Sequence, residues 1–210
     1  MSHESARIRA EALESLLVEK GLIESEFVDD VIARYNDRVG PLNGARVVAR
    51  AWRDPAFKQR LLNDGTDAIA EYDFEGGEVQ KLVVVENTDA VHNVVVCTLC
   101  SCYPRPILGQ SPEWYRTPNY RRRLVRWPRQ VLSEFGLQLP EDVEIRVADS
   151  NQKTRYVVMP VRPEGTDGWG EDQLAEIVTR DCLIGVAQPR ADRKADDKRP
   201  IIRAVHAYGH

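Results

Sequence analysis

The stretch "VVVENTDAVHNVVVCTLCSCY", residues 83–103, decides the fold of this 210-residue chain. Two β-branched runs flank the turn-prone "NTDAVHN", and they predict two short strands of a buried sheet. The second run leads directly into three of the chain's four cysteines, Cys97, Cys100 and Cys102. These cysteines are therefore predicted to lie where a strand ends in a loop.

Helical patterns fill the chain before this stretch. Apolar side chains recur at helical spacing in two runs, formed by Leu13, Leu16, Leu17 and Leu22 and by Phe27, Val28, Val31, Ile32, Tyr35 and Val39. Asn43 is predicted to cap the helix of "NGARVVARAW", and Asp54 to cap the next helix, with Pro55 at its first position. Residues 1–70 are therefore predicted to form a helical arm.

Helix and strand patterns alternate after the cysteines. Residues 118–135 are predicted to be helical, with a kink or restart at Pro128 and a C-terminal cap at Gly136. "VEIRVAD" and "TRYVVMPV" predict a second pair of strands, and "GEDQLAEIV" predicts a short helix. From Gln188 onward the chain has little core pattern, which is typical of a solvated tail or of a segment that becomes ordered on a partner subunit.

Together these patterns predict an α+β fold. The helical arm comprises residues 1–70. A mixed α/β layered domain, residues 71–187, carries the cysteines on its strand-to-loop junction, and residues 188–210 form a C-terminal tail. The three parts are expected to form one structural unit.

Charge and hydropathy argue against two classes of partner. The net charge is −4 with 30% charged residues, so no nucleic-acid footprint dominates, and the arginines of "RRRLVRWPRQ" predict a solvated or interface face. No stretch approaches the roughly 18 apolar residues of a membrane span, and "MSHESARIRA" lacks a signal-peptide core. We therefore expect a soluble, cytoplasmic protein that binds neither nucleic acid nor membrane. In that reducing compartment, clustered cysteines are more typical of metal or catalytic sites than of disulfides.

The C-x-x-C-x-C spacing leaves several kinds of site open. A structural zinc site would need a fourth ligand, for which Cys182 and His92 are the candidates. An iron–sulfur cluster lacks a fourth ligand at a known spacing, and a chance cluster is a further alternative. Cys182 lies in the apolar "TRDCLIGV", which predicts a buried core thiol rather than a ligand.

The single residue between Cys100 and Cys102 suggests a different donor set. A chain folded so tightly round an ion brings main-chain nitrogens within reach as well as sulfurs. Two deprotonated amides and three thiolates would form an N₂S₃ claw, which suits a low-spin trivalent metal better than zinc and leaves one position open for water or substrate. We refer to residues 97–102 as the claw.

The motif "VCTLCSCY" resembles the metal-binding claw of the nitrile hydratase family, which is carried by the α subunit and by the γ subunit of thiocyanate hydrolase. "ESLLVEKGLI", "NGARVVARAW", "PEDVEIRVADS" and "TRDCLIGV" also resemble their counterparts in nitrile hydratase α subunits. The resemblance therefore covers most of the chain. It implies a hydro-lyase that converts a small nitrile into its amide.

The same resemblance implies a role for each claw residue. Cys97, Cys100 and Cys102 would be the sulfur ligands, and the amide nitrogens of Ser101 and Cys102 would complete the set. Cys100 would be oxidised to the sulfinic acid and Cys102 to the sulfenic acid. Ser101, Cys100 and Cys102 would take part in catalysis, in which either a metal-activated water or the Cys102 sulfenate attacks the nitrile carbon.

Metal and substrate are predicted from neighbouring residues. Thr98 and Tyr103 resemble the cobalt type, so we expect one non-corrin cobalt(III) per chain, with iron(III) as the alternative. Arg105, where nitrile hydratases usually carry tryptophan, resembles the thiocyanate hydrolase γ subunit and would favour an anion such as thiocyanate. A surface or interface role for Arg105 is the simpler reading. Nitrile hydration is our first hypothesis, thiocyanate hydrolysis the second and a zinc-stabilised binding module the third; Arg105, Tyr103 and Thr98 are the candidates for the substrate pocket.

The resemblance also predicts supporting residues and a partner. Asp149 and Arg155 match family positions in the hydrogen-bond network beneath the claw, although an ordinary cross-strand ion pair would explain them too. In the family, arginines of the β subunit hold the oxidised cysteines, so an isolated chain would leave a buried negative charge unpaired. We therefore expect an obligate heterodimer with a nitrile hydratase β subunit, assembling as α2β2. The helical arm, residues 1–70, and the C-terminal tail are expected to pack on this partner subunit.

Overall fold

The computed structural model describes residues 3–30, 41–72, 74, 81–100 and 102–192. The chain divides into two compact units, with the boundary between residues 38 and 39. The first unit contains helix α1 (His3–Glu19), on which Leu13 and Leu16 are exposed. A second helical segment begins at Phe27, as predicted, and residues 31–40 of that predicted helix lie outside the described residues.

Three helices follow at the start of the second unit: α2 (Pro41–Arg53), α3 (Pro55–Asn63) and α4 (Gly65–Ala70). The predicted cap at Asp54 is confirmed, since its carboxylate accepts hydrogen bonds from the amides of Ala56 and Phe57 at 3.0 Å. The predicted cap at Asn43 is wrong. Helix α2 begins two residues earlier, because a proline is favoured in the first helical turn, and the buried Asn43 amide instead donates to the Pro106 carbonyl at 2.8 Å.

Four strands form where the β-branched runs predict them. They are β1 (Leu82–Glu86), β2 (Val91–Val96), β3 (Glu144–Asp149) and β4 (Arg155–Met159). The predicted pairing of the last two strands with each other is wrong, because β4 pairs with β1 and β3 pairs with β2, both in parallel. Parallel pairing needs a long crossover, and the segment between β2 and β3 supplies one.

Helices fill that crossover and the chain after β4. Between β2 and β3 lie α5 (Arg105–Leu108), α6 (Glu113–Arg116), α7 (Pro118–Arg126) and α8 (Pro128–Glu134), and after β4 lie α9 (Glu171–Ile177) and α10 (Arg180–Ile184). The predicted restart at Pro128 is confirmed. The predicted cap at Gly136 is also confirmed, since this residue has φ +84° and the Leu137 amide donates back to the Leu132 carbonyl.

The core of the second unit contains side chains from the strands and from helices in several parts of the chain. Central residues of β2 and β4 are almost fully buried, as are Leu124 of α7 and Leu183 of α10. The α+β class is therefore confirmed, whereas the functional division of the chain at residues 70 and 188 stays a prediction. Among the described residues, no helix is both long and apolar enough to cross a bilayer.

Candidate metal centre

The claw leaves the sheet at the carboxyl ends of two parallel strands. Val96, the last residue of β2, is in register with Asp149, the last residue of β3. The Ser150 amide donates to the Val96 carbonyl at 2.7 Å and extends this pairing by one residue. Loops at the carboxyl ends of neighbouring parallel strands converge at one edge, where α/β proteins commonly bind ligands.

Three sulfur atoms meet in the claw. The Sγ atoms of Cys97, Cys100 and Cys102 all lie within 4.8 Å of one another, with Cys97 to Cys100 at 3.6 Å and Cys100 to Cys102 at 3.2 Å. Cys97 and Cys102 are buried, whereas Cys100 is exposed. A single soft cation can therefore contact all three sulfurs, with one side of the cluster open to the surface.

Asp149 holds the first turn of the claw. Its two carboxylate oxygens accept hydrogen bonds from the Thr98 amide at 2.9 Å and from the Thr98 hydroxyl at 2.6 Å. Because a carboxylate is a charged acceptor, these bonds are stronger than those between neutral groups. Asp149 thereby fixes the direction in which the chain leaves Cys97.

Arg121 of α7 approaches the claw from the other end. Its Nη1 donates to the Cys100 carbonyl oxygen at 3.0 Å and to the Thr98 carbonyl oxygen at 3.4 Å. Its Nε is buried and has no hydrogen-bond partner among the described residues. The guanidinium is thus turned towards the claw backbone rather than freely solvated.

Two buried tyrosines support the claw from the protein interior. The Tyr115 hydroxyl donates to the Cys102 carbonyl at 3.1 Å, and the Tyr120 hydroxyl donates to the Val95 carbonyl at 2.8 Å. Burial, followed by the nearby Cys97 and Cys102, raises the pKa of the Tyr115 phenol well above its usual range. Tyr115 therefore remains a neutral hydrogen-bond donor at any physiological pH.

Burial also controls the protonation of Cys102. The pKa of this thiol is raised to about 12, chiefly by burial and next by the hydrogen bond with Cys100. The positive charge of Arg155 lowers the same pKa by a smaller amount. By itself the Cys102 thiol would therefore keep its proton at neutral pH. A bound cation reverses this preference, so metal binding at the claw must release protons.

The residues present fit a metal held by sulfur and by further donors from the claw itself. Arg155 Nη1 is buried without a hydrogen-bond partner among the described residues, so the neighbourhood of Cys102 has a donor available for a negatively charged group. Thiolate sulfurs are the ligands that soft or borderline transition metals prefer. The cluster brings together the three predicted sulfur donors, Cys97, Cys100 and Cys102, and their role as metal ligands stays a prediction.

The two candidates for a fourth zinc ligand are engaged elsewhere. His92 Nε2 lies 2.7 Å from the Gly185 carbonyl and His92 Nδ1 lies 3.1 Å from the Asn87 amide nitrogen, so both ring nitrogens have protein partners. Burial lowers the pKa of His92, which favours the neutral ring. Because the Gly185 carbonyl can only accept a hydrogen bond, this contact requires the proton on Nε2. Cys182 is buried, as predicted, and its sulfur lies 3.1 Å from the Thr179 hydroxyl.

The candidate pocket residues occupy different environments. Thr98 is exposed within the claw. Tyr103 is buried, packs edge-on against Tyr115 and donates a hydrogen bond from its hydroxyl to the Leu108 carbonyl at 3.4 Å. Arg105 is exposed at the start of α5. Ser101 lies outside the described residues.

Sequence reasoning missed Arg121 and Tyr115 as residues of the site. Arg121 stands in a run with four other arginines, for which we predicted a solvated or interface face. The helical pattern gives a partial indication that Arg121 is less exposed than its neighbours. Tyr120 and Leu124 form the buried stripe of α7, and Arg121 lies next to that stripe. Tyr115 lies thirteen residues beyond Cys102 and carries no local motif that links it to the claw.

Fold and site define a class of protein: an α+β chain whose compact cysteine cluster, at the carboxyl ends of parallel strands, is suited to hold a metal ion. The family model for the nitrile hydratase alpha chain matches residues 4–187. The chain therefore belongs to the nitrile hydratase α-chain family, as the resemblance of the claw predicts.

Individual relatives are similar over nearly the whole chain. The γ subunit of thiocyanate hydrolase from Thiobacillus thioparus is 57% identical over 95% of this chain and 86% of its own length. The α subunit of the low-molecular weight cobalt-containing nitrile hydratase from Rhodococcus rhodochrous is 53% identical over 92% of this chain and 94% of its own. The structure of a variant of the Fe-type nitrile hydratase from Comamonas testosteroni Ni1 is 44% identical, with TM-score 0.81, over 91% of this chain and 94% of that chain.

Proposed function

We propose that this chain is the metal-binding catalytic subunit of a nitrile hydratase, which adds water to a C≡N bond and releases the amide. The observation that carries the proposal is the meeting of three cysteine sulfurs within 4.8 Å at the carboxyl ends of β2 and β3. Membership of the nitrile hydratase α-chain family supports the same chemistry. The reaction needs no net oxidation or reduction, so a metal that does not change its charge is sufficient.

The proposed ligands are the sulfurs of Cys97, Cys100 and Cys102 and the main-chain nitrogens of Ser101 and Cys102. We propose sulfinic acid at Cys100 and sulfenic acid at Cys102, formed by an external oxidant such as dioxygen. The exposed Cys100 is open to such an oxidant, and its sulfur lies 3.2 Å from the Cys102 sulfur. Arg155, whose positive charge acts on the Cys102 sulfur and whose Nη1 is buried without a described partner, would pair with the oxygen gained there.

The bound metal would supply Lewis acidity, which polarises the nitrile or makes a water more acidic. Asp149 would hold the claw in its binding shape through Thr98, so that the sulfurs need little rearrangement when substrate arrives. The Cys102 sulfenate oxygen would accept the proton of the attacking water. Tyr115, kept neutral by burial, would fix the carbonyl end of Cys102 while that proton moves.

We propose cobalt(III) as the metal, one per chain. The cobalt-containing relative from Rhodococcus rhodochrous is 53% identical, and Thr98 and Tyr103 match the cobalt type. Iron(III) is the alternative, since an Fe-type nitrile hydratase shares the fold with TM-score 0.81.

We also propose an obligate β-subunit partner and an α2β2 assembly in the cytoplasm. The relatives are subunits of larger enzymes, which supports a partner for this chain. Cys100 is exposed at the centre of the site, and Leu99 beside it is 80% exposed. A β subunit that covers this face would remove both side chains from water.

Thiocyanate hydrolysis is the second candidate function. Arg105 is exposed three residues after Cys102, where its guanidinium could attract an anionic substrate, and the thiocyanate hydrolase γ subunit is 57% identical. Because thiocyanate also contains a C≡N bond, the same claw could serve both reactions.

A product assay separates the two functions. The purified complex, incubated with a panel of small nitriles and separately with thiocyanate, is expected to convert nitriles into amides and to release little carbonyl sulfide. Amide can be measured by chromatography and carbonyl sulfide by gas chromatography of the headspace. Carbonyl sulfide release with no amide from any nitrile would overturn nitrile hydration in favour of thiocyanate hydrolysis.

A further inference from the structure

We infer that His92 forms an acid-sensitive lock between β2 and the turn after α10, because its ring holds these two elements together only while it is neutral. The lock belongs to the packing behind the claw and includes no claw residue, so the inference goes beyond the proposed function. His92 is 2% exposed, and both of its ring nitrogens contact protein groups.

One end of the ring requires a proton on its nitrogen. Nε2 lies 2.7 Å from the Gly185 carbonyl oxygen, which can only accept a hydrogen bond. Gly185 follows α10, and a Cβ atom at this position would lie 2.2 Å from the Asn93 carbonyl oxygen of β2. The hydrogen bond therefore joins the two elements where their backbones approach closely.

The other end of the ring requires a nitrogen without a proton. Asn87 Oδ1 accepts a hydrogen bond from the main-chain amide of Asn93 at 2.7 Å, so Asn87 Nδ2 is the atom that faces His92 Nδ1, at 3.1 Å. Because Nδ2 is a donor, Nδ1 has to accept. Only the neutral ring with its proton on Nε2 satisfies both ends.

Rotation of the Asn87 amide does not make room for a second proton on the ring. A protonated ring donates from both nitrogens, so its Nδ1–H would meet the Asn87 NH₂ group. Turning that amide over would give His92 an acceptor but would place the NH₂ group against the Asn93 main-chain N–H. The Asn93 side chain offers no acceptor there, because its Nδ2 faces the Glu86 carbonyl and Asn87 Oδ1. Either orientation leaves two buried donors facing each other, which costs stability.

No charged group among the described residues offsets this cost. Strands β1, β3 and β4 and helix α10 pack against β2. Burial lowers the pKa of His92, the Gly185 carbonyl partly offsets this effect, and no titratable side chain of the packed elements contributes to it. Those side chains, together with that of the turn between β1 and β2, are Glu86, Asp89, Glu144, Arg146, Asp149, Arg155, Tyr156, Arg180, Asp181 and Cys182.

The lock makes the packing of β2 depend on pH. A histidine that is released to solvent has a pKa of about 6.5, whereas the pKa of His92 in the folded chain is lowered. The stabilisation is therefore complete above about pH 6.5 and is lost as the pH falls towards the lower pKa of the folded state. If the ring takes a proton only in the opened state, the opening equilibrium constant rises about tenfold between about pH 7.5 and about pH 5.5. Because β2 ends beside Cys97, acidification loosens the strand that carries the claw.

Hydrogen exchange of the purified complex tests the inference. Amides of β2 and of residues 180–187 are compared at about pH 7.5 and about pH 5.5, after correction for the intrinsic pH dependence of exchange. Their protection in the wild-type complex is expected to fall about tenfold more than in His92→Gln. Glutamine can still donate a hydrogen bond to the Gly185 carbonyl but does not titrate.

Asn87→Asp tests the same lock from the other side. A carboxylate can accept hydrogen bonds from both the Asn93 amide and a protonated Nδ1, and its negative charge favours the protonated ring. The fall in protection is therefore expected to be at least about threefold smaller than in wild type. The matched control is Asp89→Asn, which removes an exposed titratable group from the same turn and should keep the full wild-type fall.

An equal fall in protection in the wild-type complex and in His92→Gln would overturn the inference, and so would a full wild-type fall in Asn87→Asp. If His92→Gln does not assemble, Asn87→Asp decides by that limit. If neither variant assembles, the wild-type complex decides, since protection of β2 that does not fall between the two pH values would contradict the lock.

Discussion

At the scale of single residues, the claw is held by groups that contact its backbone. Asp149 bonds the amide and hydroxyl of Thr98, Tyr115 bonds the Cys102 carbonyl and Arg121 bonds the Cys100 carbonyl. Such groups orient ligands without touching the metal, and their loss usually weakens metal binding more than it weakens the fold.

Asp149→Asn is expected to lower the metal content of the purified complex while leaving it folded. Asparagine carries no charge and has one acceptor oxygen where aspartate has two. It can therefore accept a hydrogen bond from the Thr98 amide or from the Thr98 hydroxyl, but it cannot replace both bonds of Asp149. We expect metal affinity to fall by at least about tenfold. Elemental analysis after dialysis against a chelator measures the effect.

Asn151→Ala is the control for that substitution. Asn151 bonds the amides of Lys153 and Thr154 in the turn after β3, two residues beyond Asp149, and these bonds stay within that turn. Its loss should leave the metal content at the wild-type level. Equal metal loss in both variants would show that Asp149 acts only by stabilising the end of the strand.

The residues of the site differ in how far the sequence predicts them. The cysteines and Asp149 belong to short motifs, so spacing and resemblance were sufficient to select them. Arg121 could not be selected from the arginines of its run, because it differs from them only in that its side chain contacts a loop 21 to 23 residues earlier in the chain. Contacts of that kind depend on how helices pack, which local patterns do not encode.

At the scale of elements, the sequence predicts the strands better than their partners. The β-branched runs mark all four strands, since this composition favours a pleated, buried backbone. Pairing depends on the path of the chain between strands, such as the helical crossover between β2 and β3, and a local pattern does not encode that path. The predicted pairing of β3 with β4 failed for this reason, although these two strands are neighbours in the chain.

The end of α10 gives a test of packing between elements. Gly185 has φ +91°, and a Cβ atom there would lie 2.2 Å from the Asn93 carbonyl oxygen of β2. Gly185→Ala is expected to lower the free energy of unfolding by about 3 kcal/mol or more, from backbone strain and overpacking together. The thermal midpoint of the complex measures this loss.

Gly165→Ala isolates the contribution of backbone strain. Gly165 has φ +76° but no atom within 4 Å of the added Cβ, so only about 1–2 kcal/mol should be lost. An equal fall in the thermal midpoint for both substitutions would contradict this prediction. It would show that close packing between α10 and β2 does not require glycine at position 185.

At the scale of the whole molecule, metal binding is coupled to protonation and to the packing behind the claw. Burial raises the pKa of the Cys102 thiol to about 12, and the two buried tyrosines that hold Cys102 and Val95 belong to an aromatic cluster with Trp114. The interior therefore fixes the shape of the claw but disfavours its ionised form. A bound metal ion would supply the missing stabilisation and would then contribute to the stability of the folded structure.

The identity of the bound metal tests the central claim most directly. Elemental analysis of the complex, purified without added metal, is expected to find about one cobalt or iron per chain. Cys97→Ala should lose this metal because a sulfur ligand is gone, whereas Cys182→Ala, which removes a buried thiol outside the three-sulfur cluster, should retain it. Near-stoichiometric zinc in the wild-type complex, or metal loss in Cys182→Ala from a complex that remains folded, would contradict the account.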